Sequence, residues 1–130
     1  MNNNLEIIKK SYACGEVGDI PGMLADLRED AEWTEAAGGP YGGTYRGAKE
    51  VLENVFQRIK GDWLDFACIP EEFYDAGDTI IMVGWYKGVN NKSKKSFEAR
   101  VTHVWKLENG KIIKFEQIFD TVPMREAMEE

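Results

Sequence analysis

Four polar residues sit where chemistry is possible: Glu35, His103, Gln117 and Asp120. Glu35 ends the alternating run "DAEWTE", two residues after Trp33. His103, the single histidine of the chain, stands between two valine-bearing steps in "RVTHVWK". Gln117 and Asp120 follow in "FEQIFD". A carboxylate taken out of water has its pKa raised toward neutrality, and it can then take a proton from carbon beside a carbonyl and return it. An imidazole in apolar surroundings either titrates or donates a hydrogen bond to a developing oxyanion. Asp120 is a second carboxylate close by in sequence, reaching the interior only where its strand bulges or twists. Each residue also has a duller reading: a solvated glutamate at a strand end, a satisfied core histidine, an amide bonded within the sheet.

Composition narrows the classes. At 130 residues, with 43% hydrophobic and 30% charged, the chain is one globular domain spanning 1–130. Twenty-three acidic against sixteen basic residues give a net charge of −7, which repels a phosphate backbone and argues against nucleic-acid binding. Lys92, Lys94 and Lys95 read as a solvated loop tip. "MNNNLEIIKKSY" lacks the apolar region of a signal peptide, and no apolar run approaches the ~20 residues of a membrane span. Cys14 and Cys68 fit no motif and read as reduced thiols, so the expectation is a cytoplasmic protein. There is no Cys/His cluster from which to build a metal site, and the expected chemistry uses no metal or organic cofactor.

The positioning elements follow from periodicity. Leu5, Ile8 and Tyr12 make a helical stripe over about 4–16, which places Tyr12 in the core. Asp19 caps a second helix over about 20–28, with Pro21 in its first turn. A short strand carries Trp33 and Glu35 on one face. "GGPYGGTYRG" has too many glycines for helix or regular strand, so its conformation stays open. A third helix over about 47–61 turns Val51, Leu52, Val55, Phe56 and Ile59 inward. Strands follow near 63–74, 79–87, 96–107 and 111–119, and a short helix begins near Pro123. Helices first and antiparallel strands afterwards make an α+β fold with helices on one sheet face.

The last hairpin sets which way His103 points. A two-residue Asn109-Gly110 turn pairs Glu108 with Lys111 and sets His103 beside Glu116. A three-residue loop pairs Leu107 with Lys111 and puts Val101, His103 and Trp105 on one face with Ile113, Phe115, Gln117 and Phe119. The apolar pattern selects the second. Glu35, His103 and Gln117 then converge on one apolar interior, with Trp33, Tyr41, Tyr45, Phe56, Trp63, Phe66, Trp85, Trp105 and Phe119 available to line it. An apolar cavity with a few convergent polar groups is the usual form of a small-molecule site.

Four segments carry a family resemblance: "YACGEVGD", "LREDAEWTE", "GGTYRGAKEVLENVF" and "THVWKLENGKIIKFEQIFDT". In order and spacing they resemble the SnoaL-like, ketosteroid isomerase-related branch of the NTF2-like superfamily. The resemblance implies a curved antiparallel sheet wrapped as a cone around a long N-terminal helix, and a homodimer through the outer sheet face. It implies a carboxylate at the position of Glu35. The tyrosine that the isomerases carry on the first helix is displaced here by one residue, with Ser11 in its place. The cyclases carry an acid/base carboxylate on the last strand, where this chain has Gln117. Two functions stay open: a cofactor-independent isomerase or cyclase moving a proton on an apolar, carbonyl-bearing or cyclic molecule, and a non-catalytic binder of a small hydrophobic ligand. In the first, Glu35 or Asp120 is the base and His103 the oxyanion donor. In both, Trp33, Tyr41, Tyr45, Phe56, Trp63, Trp105, Gln117 and Phe119 contact the ligand.

Overall fold

The computed structural model describes residues 3–129. Helix α1 (Asn4–Glu16) buries Ile8 and Ser11 and ends before the left-handed Gly18. Helix α2 (Ile20–Met23) is a single turn, capped where the Asp19 carboxylate accepts from the Gly22 amide. It stops well short of residue 28 because Leu27 is already paired with Ile112 in the sheet. Strands β1 (Leu27–Glu35) and β2 (Gly43–Arg46) form an antiparallel pair. The glycine-rich segment thus contributes a strand after all: Gly43–Arg46 finds its backbone partners on Glu32–Glu35 despite its composition.

Helices α3 (Gly47–Val51) and α4 (Gln57–Asp62) are joined through a π turn, Leu52–Phe56, into one rod. Gly47 starts it at φ +76°, and a Cβ there would meet the Glu29 carbonyl at 2.7 Å, so the rod's entry against β1 requires glycine. Four strands follow: β3 (Trp63–Asp75), β4 (Thr79–Asn90), β5 (Ser96–Glu108) and β6 (Lys111–Phe119). Helix α5 (Thr121–Met128) closes the described chain. The sheet order is β2-β1-β6-β5-β4-β3, antiparallel except where β1 runs parallel to β6. This curved, mainly antiparallel sheet with helices packed on it is the expected α+β architecture.

The hairpin between β5 and β6 corrects one expectation. Glu108 pairs with Lys111 across a two-residue turn in which Asn109 and Gly110 have φ of 51° and 75°, as a type I′ turn demands. The register then shifts by one between Lys106 and Leu107, leaving Ile113 as the extra residue, so His103 pairs with Gln117 and Trp105 with Phe115. The bulge does the work expected of a longer loop. It also turns Ile112 into the core and leaves Ile113, expected on the inward face, only half-buried.

Candidate functional site

Two apolar clusters fill the inside of the curved sheet. One lies under α1 and joins Ile8, Trp33, Val51, Trp105, Ile112 and Phe115; the other runs along β4, β5 and α5 through Trp63, Met82, Tyr86, Phe97 and Met124. Polar groups lie between them as one connected chain. Trp33 donates Nε1–H to Glu35 Oε2 at 2.9 Å. Gln117 spends its two amide protons on Glu35 Oε1 at 3.2 Å and the Tyr86 hydroxyl at 2.8 Å. Its carbonyl accepts from the Ala36 amide at 3.0 Å, which fixes the orientation of the side chain. Tyr86 meets His103 Nε2 at 2.6 Å, Tyr12 meets His103 Nδ1 at 2.6 Å, and Trp105 donates to the Tyr12 hydroxyl at 2.8 Å.

The elements explain these meetings. Pairing of β5 with β6 puts His103 opposite Gln117, and pairing of β1 with β6 brings the end of β1, with Glu35, beside them. Alternation along β4 turns Ile80, Met82, Gly84 and Tyr86 inward. Tyr86 stands opposite Ala99 on the neighbouring strand, four residues along β4 from Met82, which pairs with His103, and its hydroxyl reaches His103. Tyr12 reaches the same histidine from α1, as its core stripe required, but it brings a buried hydroxyl into the polar chain as well.

Burial sets the charge states. Glu35 is 4% exposed, and loss of water raises its carboxyl to about 7 against the lowering effect of the Trp33 and Gln117 hydrogen bonds. His103 is 5% exposed, and desolvation lowers its pKa to about 3, so the ring is neutral. A carboxyl near 7 exists in both forms at neutral pH, which is the condition for taking and returning a proton.

A small cavity opens beside Glu35. Gln117, Tyr86, Tyr41, Phe119, Ile59 and loop residues Ala36, Gly39 and Pro40 line it, and the free space is about 10 Å³, room for roughly one water molecule. The loop between β1 and β2 roofs it and is tied down at several points. Tyr41 donates to Asp62 at 2.7 Å and accepts from Trp63 Nε1 at 3.0 Å. Tyr45 donates to the Tyr41 carbonyl, Arg58 to the Pro40 carbonyl and Arg125 to the Gly38 carbonyl.

The expected site residues therefore divide. Glu35, Tyr41, Gln117 and Phe119 line the cavity. His103 does not; it touches the site only through Tyr86. Trp33, Phe56 and Trp105 pack with Phe115 in the core, where Trp33 stacks on Phe115 with ring centroids 3.8 Å apart. Trp63 and Tyr45 anchor the roof. Trp85 lies on the outer face, bonded to Glu71 and covered by Arg100. Asp120 is exposed and caps α5 by accepting from the Val122 amide, so it does not join the cavity lining. Tyr86 was missed, although inward alternation on a strand beside His103 marks it. Among the described residues no cluster of His, Cys, Asp and Glu could hold a metal, and no helix is long and apolar enough to cross a membrane.

Comparisons with known proteins agree with the fold. The family model of the SnoaL-like domain matches residues 8–115. An NTF2-like protein from Burkholderia thailandensis E264 is 42% identical over 100% of both chains, with a TM-score of 0.97. An NTF2-like protein of unknown function from Burkholderia pseudomallei K96243 is 30% identical over 100% of both chains, with a TM-score of 0.91. TerC, co-crystallised with polyporic acid, is 28% identical over 98% of each chain, with a TM-score of 0.87. No curated protein matches the chain.

Proposed function

The chain belongs to the SnoaL-like domain family, and on that premise we propose that it is a small-molecule enzyme moving a proton on a carbonyl-bearing apolar substrate, with Glu35 as the base. The observation that carries this reading is a carboxyl near pKa 7, held by two hydrogen-bond donors and facing a cavity. Glu35 would take the proton from carbon and return it at another position, while hydrogen-bond donors around the cavity hold the substrate oxygen. Gln117 clamps Glu35 and the 36–42 loop and transfers no proton. The polyporic acid of the TerC structure supports a small organic ligand. Space for one water does not admit such a molecule, so binding requires the roof over the cavity to lift.

The test begins with native mass spectrometry of protein purified from its source, followed by assay of the small molecule that accompanies it. Glu35→Gln should lower turnover of that molecule by ~10²–10⁴. Binding is expected to persist, although the new amide sets one N–H group against Trp33 or Gln117 where the carboxylate accepted from both. Unchanged turnover in Glu35→Gln removes the base from this position. A wild-type protein that retains the ligand without converting it is a binding module.

The same reading includes a homodimer through the outer sheet face. Ile118 is 51% exposed there, near half-buried Val104 and Trp85. Sedimentation should show a dimer that dissociates on dilution; a monomer at every concentration removes it.

A further inference from the structure

We infer that His103 carries its proton on Nε2, so that Tyr86 accepts from the ring and turns its own hydroxyl proton into the cavity as the hydrogen-bond donor for a ligand oxygen. The inference rests on the reading of the cavity as a ligand site, and it names the donor that a carbonyl or enolate oxygen would meet beside Glu35.

The proton inventory of the polar chain leads to it. A neutral imidazole has one N–H and one acceptor nitrogen, and here each nitrogen faces a phenol at 2.6 Å. One tyrosine must therefore donate to the ring and the other must accept from it. Both phenols already accept one further bond, Tyr12 from Trp105 and Tyr86 from Gln117. Whichever phenol also accepts from the histidine has a hydroxyl proton to place elsewhere.

The two placements differ in what surrounds the spare proton. With Nδ1 protonated it belongs to Tyr12, whose neighbours are Phe73, Trp105, His103 and the Cys68 thiol, with sulfur a weak acceptor. With Nε2 protonated it belongs to Tyr86, which lines the cavity together with Glu35 and Gln117. A buried donor without an acceptor is the costly case, and the cavity can supply a water or a ligand oxygen. The second arrangement follows. His103 is then a positioning residue that aims Tyr86, and it needs no contact with the ligand.

One histidine in the chain makes the test direct. Full-length protein labelled with ¹⁵N at histidine gives one pair of ring-nitrogen resonances, whose shifts report which nitrogen is protonated. The expected result is Nε2–H in the wild type. Tyr12→Phe should keep that tautomer, because an unpartnered acceptor nitrogen is preferred to an unpartnered N–H. A wild-type ring protonated at Nδ1, or averaged evenly between both forms, overturns the inference. None of these outcomes bears on Glu35, whose role as base is read separately from turnover of the accompanying ligand.

Discussion

Glu35 and His103 belong to one hydrogen-bonded chain and are 4% and 5% exposed, yet they end in different chemical conditions. Desolvation disfavours the charged form of each, raising Glu35 to about 7 and lowering His103 to about 3. The carboxyl is left poised between two states, while the imidazole is locked into one. Space separates them further. Glu35 has two donors on its oxygens and a cavity beside it, whereas His103 is enclosed by Tyr12, Tyr86, Trp105 and Phe115. Burial of an ionisable group is thus insufficient to mark a reacting group. An open position next to it is also needed.

The comparison breaks most visibly in stability. His103→Leu leaves the Tyr12 and Tyr86 hydroxyls each short of a partner in the core, at roughly 1–3 kcal/mol apiece, so urea unfolding at pH 7 should show a loss of about 2–6 kcal/mol. A loss near zero would mean that His103 is not the hub of the network.

Proton linkage gives the next largest effect, of opposite sign at the two groups. Glu35 has its folded pKa raised from 4.5 to about 7, so its contribution is full below 4.5 and is lost as pH rises through 7. His103 has its folded pKa lowered from 6.5 to about 3, so its contribution is full above 6.5 and is lost as pH falls toward 3. Between 4.5 and 6.5 the two slopes oppose each other and flatten the curve. Subtracting the Glu35→Gln profile from the wild type isolates the first. Between pH 4 and pH 8 the wild type should lose on the order of 3 kcal/mol relative to the variant. A constant difference across that range contradicts the raised carboxyl.

The smallest effect belongs to the roof. Tyr41→Phe removes the bond to Asp62 and the acceptor for Trp63, and should cost about 1 kcal/mol of local stability. Hydrogen exchange over residues 36–42 should quicken, with exchange at His103 and Trp105 on β5 unchanged. Uniform quickening across the sheet would show that Tyr41 supports the whole fold instead of the loop.

Much of this was legible in the sequence, for reasons that differ by residue. The periods of 3.6 and 2 located α1, the α3–α4 rod and the four long strands, and the inward position of Glu35, His103 and Gln117 followed from alternation. The turn length was misread because a two-residue turn plus a bulge at Ile113 produces the same faces as a longer loop, and the apolar pattern is blind to the difference. Helix α2 ran too long because a helical stripe does not reveal that Leu27 is claimed by Ile112. Most of the aromatic residues were recognised as inward, though Trp85 faces outward, and only packing decides that Trp33 and Trp105 fill the core while Tyr41 and Phe119 face space. Tyr86 escaped because a tyrosine on an alternating strand looks like core until its hydroxyl is traced to His103. Asp120 was drawn toward the site by proximity in sequence, and a helix start claimed its carboxylate instead.

The central claim is that Glu35 is held near neutrality in a site that can use it, and its own titration tests this most directly. Glutamate labelled with ¹³C at the side-chain carboxyl, assigned by comparison with Glu35→Gln, can be followed by NMR from pH 3 to pH 9. The Glu35 resonance should titrate with a midpoint near 7, well apart from the surface glutamates. A midpoint near 4.5 would contradict the account, because a carboxyl fully ionised at neutral pH cannot hold and return a proton as described.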